Sequence, residues 1–189
     1  MSFLDRVRRR WARPPAPVRS AVSDAGDAEE RVLSWGSLVR EQGWLVATNR
    51  GLRTVSAEGA GAVGVLRWHE IGHARWTATA DGGGTFEITS LTEVEPGVQA
   101  RLPEERYVLG DAGDLPAVVR RRVDQTVVAS RRSPLPSGGG VLLVARRIPG
   151  QPGREWTVVF DDDADRNDPL AREAAREKLA EAVAAEQPE

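Results

Sequence analysis

Both histidines of the chain, His69 and His73, flank Glu70 in the spacing H-E-x-x-H. Zinc peptidases use this spacing to set two imidazole ligands beside a glutamate that polarises a zinc-bound water. The chemistry needs a helix, because only there do positions i and i+4 bring both ring nitrogens to one point. On a strand the two imidazoles share a face but stand about 13 Å apart at ~3.3 Å per residue, too far for one zinc.

The surrounding residues favour the strand. Trp68, Trp76, Thr77 and Thr79 are poor helix formers, and Gly72 would cost about 1 kcal/mol in a helix interior. A metzincin continuation would need a glycine at position 76 and a histidine at position 79, where Trp76 and Thr79 stand. A downstream carboxylate third ligand could be Glu87, Glu93 or Glu95, all in stretches that read as strand or turn. Residues 68–73 are therefore expected to be strand and turn, with no catalytic residue, metal ligand or cofactor. The alternative is a zinc peptidase with His69 and His73 as ligands and Glu70 as base.

The elements around the motif are short and punctuated by glycine. Strands are expected at 31–35, 44–48 and 52–55, the last two as a hairpin turning at Asn49-Arg50-Gly51. Two apolar runs, 65–71 and 74–80, are separated near Gly72. In the second, Ala74, Trp76 and Ala78 alternate with Arg75, Thr77 and Thr79, the period of a half-buried strand. Asp81-Gly82-Gly83-Gly84 turns into a strand at 85–89. Asp114 and Pro116 open a short helix over 118–123, and three further strands are expected at 126–130, 141–145 and 156–160. Asp168 caps an alanine-rich helix that begins at Pro169 and ends near Glu186.

Composition bounds the chemistry. The 189 residues allow one core, or at most two small domains. A formal charge of -2 disfavours nucleic-acid binding by the whole molecule. Without cysteine there are no disulfides, thiolate nucleophiles or cysteine metal sites. No apolar run is long enough to span a bilayer, and no signal peptide is recognisable, so the expected compartment is the cytoplasm.

At the N-terminus Arg6, Arg8, Arg9, Arg10, Arg13 and Arg19 oppose a single Asp5, with Phe3, Leu4, Val7 and Trp11 at helical spacing. A basic amphipathic segment of this kind can lie on an anionic membrane surface, with Arg6, Arg8, Arg9, Arg10 and Trp11 in contact. The bland reading is a solvated arm. Pro14, Pro15 and Pro17 are expected to stop any helix, and Ser20 to Glu30 to form a linker, so the folded domain is expected over 31–187.

Other candidates are weaker. Asp161-Asp162-Asp163-Ala164-Asp165 resembles the start of a calcium loop, but Arg166 replaces the turn glycine and Arg172 the bidentate glutamate. It reads as a solvated loop leading to the Asp168 cap. Arg120-Arg121-Arg122 and Arg131-Arg132 could meet phosphate but read as charged faces.

Thr48-Asn49-Arg50-Gly51-Leu52, a glycine loop and then Trp68-His69-Glu70-Ile71 resemble the opening of bacterial PH-like domains, and the basic start and terminal helix resemble actinobacterial proteins. The match covers about residues 31–100. The resemblance implies a partly open barrel with a helix at one end, used for binding or scaffolding, and implies no catalytic residue. The expected class is thus α+β, mostly antiparallel β: a PH-like partly open barrel or sandwich with a short middle helix and a C-terminal helix. Whether residues 101–187 complete that barrel or form a second subdomain is open. The expected function is a non-enzymatic binding module for a protein or an anionic membrane surface, cytoplasmic or peripheral to the membrane.

Overall fold

The structure is a computed structural model that describes residues 13–40, 42–57 and 64–186. The fold is α+β with a mostly antiparallel, unclosed sheet. By its contacts the chain divides into two compact units, residues 1–89 with 104–123 and residues 90–103 with 124–189. Residues 104–123 thus group with the first unit, and the second begins inside a strand.

In the first unit, strands β1 (Val32–Leu38), β2 (Gly43–Thr48), β3 (Gly51–Ser56), β4 (Leu66–Arg67), β5 (Ile71–Ala78), β6 (Gly84–Glu95, through Thr89) and β8 (Glu105–Asp111) lie in the order β4-β3-β2-β1-β8-β6-β5. Flat, seven strands would hold β4 and β5 about 29 Å apart at ~4.8 Å per spacing. Yet the two edges are joined by a single 3-10 turn, Trp68–Glu70. The four steps from Arg67 to Ile71 reach at most about 14 Å. The sheet must therefore curl until its edges approach, which gives a partly open barrel. Residues 68–70 are the corner that joins its two edge strands.

The expected break near Gly72 is thus corrected: the chain turns at 68–70, and Gly72 lies within β5. Trp68 and Ile71 are buried on either side of the corner, while Gly72 and His73 are exposed. Trp76 packs on Phe86 of β6 with ring centroids 5.8 Å apart, as the alternation in β5 requires. Inside the curl lie Leu45, Leu52, Phe86, Ile88 and Leu109, joined by Leu115, Val118 and Val119 of helix α2 (Leu115–Thr126).

The N-terminal prolines do not prevent a helix. Helix α1 runs Ala16–Asp24 with Pro15 as its N-cap residue and Pro17 in its first turn. First-turn amides have no partner within the helix, so proline there sacrifices no bond. Val18 and Ala21 are buried against Val46 and Val55. Successive residues of β2 thus pack on opposite sides, Leu45 and Ala47 in the barrel and Val46 under α1. Burial of both faces explains why β2 reads as an unbroken apolar run. The linker expected over 20–30 is in part this helix. Arg6, Arg8, Arg9, Arg10 and Trp11 lie outside the described residues.

In the second unit, the end of β6, then β7 (Val98–Arg101), β11 (Glu155–Phe160), β10 (Gly140–Arg146) and β9 (Val127–Pro134) lie side by side in that order. Helix α3 (Pro169–Ala184) buries Ala171, Ala175 and Ala182 with Val98, Leu143 and Val158. Asp168 caps it as expected, accepting from the Leu170 amide at 3.0 Å. The β6–β7 turn requires Gly97, whose φ is +74° and where a Cβ would stand 2.6 Å from a Leu179 methyl. Strands β7 and β8 and the extension of β6 to Glu95 are absent from the sequence reading. All β pairs of this unit are antiparallel except β7 with β11.

Candidate functional site

The structure divides the H-E-x-x-H residues between two kinds of backbone. His69 and Glu70 sit in the 3-10 turn and His73 on β5, so the helical i, i+4 arrangement of the zinc alternative is not formed. Glu70 is engaged locally, its Oε2 accepting from the Arg67 amide at 2.8 Å. Among the described residues, no group of three or more histidines and carboxylates is placed to hold a metal.

What the motif builds is a joint. The Trp68 Nε1 donates to the carbonyl of Thr48 at 3.1 Å, tying the corner to the β2–β3 turn. The Thr48 hydroxyl accepts from the amides of Arg50 and Gly51 at 3.1 and 3.2 Å and donates to Glu30 Oε1 at 2.7 Å. Glu30 in turn takes two bonds from Arg53, 2.8 Å from Nε and 2.7 Å from NH2. Burial alone would raise the Glu30 carboxyl, but the hydrogen bonds of Arg53 and Thr48 and the Arg53 charge hold it below its ordinary value. The side chains are 1% and 9% exposed, so this ion pair is part of the core.

A cleft of about 640 Å³ opens instead in the second unit. Its origin is the parallel pair: β7 and β11 are in register only at Val98 with Val158 and Gln99 with Val159. No pair follows those two, since β11 ends one residue later at Phe160, and the cleft lies at these carboxyl ends. Arg101 bridges the gap, its NH1 donating to the Phe160 carbonyl at 3.0 Å and to Asp162 at 2.7 Å. Gln99 lines the cleft, and its Oε1 is buried without a hydrogen-bond partner.

The other wall is α3. Arg172 and Arg176, one turn apart, converge on Glu95 at the end of β6: Arg172 NH2 bonds Oε1, and Arg176 NH2 bonds Oε2 at 2.7 Å. The hydrogen bond from Arg176 is the largest effect and outweighs burial, and with the charges of both arginines it keeps the Glu95 carboxyl below its ordinary value. The loop expected to be solvated forms the rim. Asp161 pairs with Arg132 of β9 at 3.2 Å, and Asp162 is 94% exposed. Arg131 is exposed on the same strand.

Sequence reasoning missed this cleft. In the sequence Glu95 stands out only as a carboxylate downstream of the zinc motif, and Arg172 only as a departure from a calcium loop. The readable signal was the i, i+4 spacing of Arg172 and Arg176 on an alanine-rich helix; the parallel pairing left none. No family model matches the chain, and neither a curated protein nor a solved structure matches it.

Proposed function

We propose that the chain is a non-enzymatic binding module whose ligand occupies the cleft between β7, β11 and α3. The observation that carries this reading is a cleft at the carboxyl ends of two briefly paired parallel strands, where arginines and carboxylates from strand, loop and helix meet. The resemblance of residues 31–100 to PH-like modules, themselves used for binding or scaffolding, supports the same reading. So does the placement of His69 and Glu70 in a structural corner and of His73 on β5. The protein works in the cytoplasm, and the Arg6 to Trp11 segment lets it rest on an anionic membrane surface.

The test is amide-shift mapping of the 15N-labelled full chain against a library of small fragments. The reading expects the strongest shifts at 94–101, 160–167 and 172–176. It fails if the binders map elsewhere, or if the purified protein cleaves peptides in a zinc-dependent way that Glu70→Gln abolishes.

A further inference from the structure

We propose that the cleft takes an acidic peptide segment, whose carboxylate is gripped by Arg172 and Arg176 in place of Glu95, an occupant supplied by the protein itself. The inference rests on the binding-module reading and names the ligand class. Two guanidiniums one helical turn apart, each holding a different oxygen of one carboxylate, form a receptor for that group. Each guanidinium has five N–H donors. Glu95 uses one from each arginine, and Glu173 takes one more from Arg176 at 3.3 Å. N–H groups are left to donate to an incoming carboxylate before Glu95 has gone.

Exposure separates this clamp from a structural ion pair. The Arg172, Arg176 and Glu95 side chains are 42%, 48% and 30% exposed, in contrast to the buried Arg53 and Glu30. Pairs this wet hold weakly and exchange partners at little cost. A second feature selects a peptide over a small carboxylate. The buried Gln99 Oε1 lacks a donor, and a peptide N–H is a donor that free glutarate does not carry. The segment of β7 beyond Gln99, Ala100 to Arg101, has no register partner on β11, which leaves an extended edge beside the clamp.

The experiment measures fluorescence anisotropy of a labelled peptide of alternating glutamate and valine, titrated with the full chain at low salt. Wild type is expected to bind it, Glu95→Gln to bind about tenfold more tightly, and Arg172→Gln/Arg176→Gln at least tenfold more weakly. The glutamine version of the peptide should not bind, and free glutarate should compete only at far higher concentration. Glu95→Asp, which keeps the charge and withdraws it by one methylene, guards against misfolding of the neutral variant and should also bind more tightly than wild type. The proposal is overturned if neither Glu95 variant strengthens binding, or if glutarate competes as well as the peptide. Fragments that still map to the cleft would then leave the binding-module reading intact; fragments mapping elsewhere would end both.

Discussion

The indole nitrogen of Trp68 and the carbonyl oxygen of Thr48 are 3.1 Å apart, and through this bond the corner that brings the two edges of the sheet together is fastened to the β2–β3 turn. Trp68 is 2% exposed, so the bond is dry. Trp68→Phe keeps most of the bulk and loses the donor, and should cost about 1 kcal/mol. Trp68→Ala also leaves a cavity and should cost about 3–5 kcal/mol. Urea unfolding followed by far-UV circular dichroism measures both; equal, negligible costs would show that the corner does not hold the barrel.

The buried Glu30–Arg53 pair sets an acid limit. Because the folded Glu30 is held below its ordinary value of 4.5, its contribution is complete above that pH and is lost as pH falls through the folded value. Glu30→Gln strands the Arg53 charge in the core and should cost about 3–5 kcal/mol at neutral pH. It should also flatten the fall in stability below pH 4.5. A melting series from pH 7 to pH 3 on both proteins checks the sign.

His73 is exposed and Glu70 only caps a turn, so neither is expected to support metal chemistry. His73→Ala should change stability by less than about 0.5 kcal/mol. Metal analysis of untagged protein should give no stoichiometric zinc, and a 1:1 content would contradict the structural role assigned to the corner.

Much of the first unit was legible because its signals are local. The alternation Ala74, Trp76 marks β5 and the Asn49-Arg50-Gly51 turn marks the β2–β3 hairpin; in the second unit Asp168-Pro169 likewise marks the start of α3. Helix α1 was hidden because three prolines suggested a break, although Pro17 sits where its missing N–H is harmless. The unbroken apolar run Trp44 to Ala47 was the available clue that something must cover the second face of β2. Val18→Ala at that cover should cost roughly 1.5 kcal/mol. The cleft was not legible because it depends on Val98 meeting Val158, a parallel pairing across sixty residues that no local pattern encodes.

Because α1 begins at Ala16, the membrane contact is tested by removing residues 2–12 and leaving that helix whole. Flotation with vesicles containing anionic lipid should fall several-fold on removal and should weaken with salt, as screening requires. Equal flotation of the two forms would remove the membrane from the account.

The central claim is that the chain binds through the β7–β11 cleft and that the His69 to His73 stretch is architecture. A single comparison weighs both halves: the affinity of one cleft-binding fragment for the His69→Ala/Glu70→Gln/His73→Ala protein and for Arg172→Gln/Arg176→Gln. The cleft proposal predicts wild-type affinity for the first and at least a tenfold loss for the second. Loss in the first with retention in the second would contradict it.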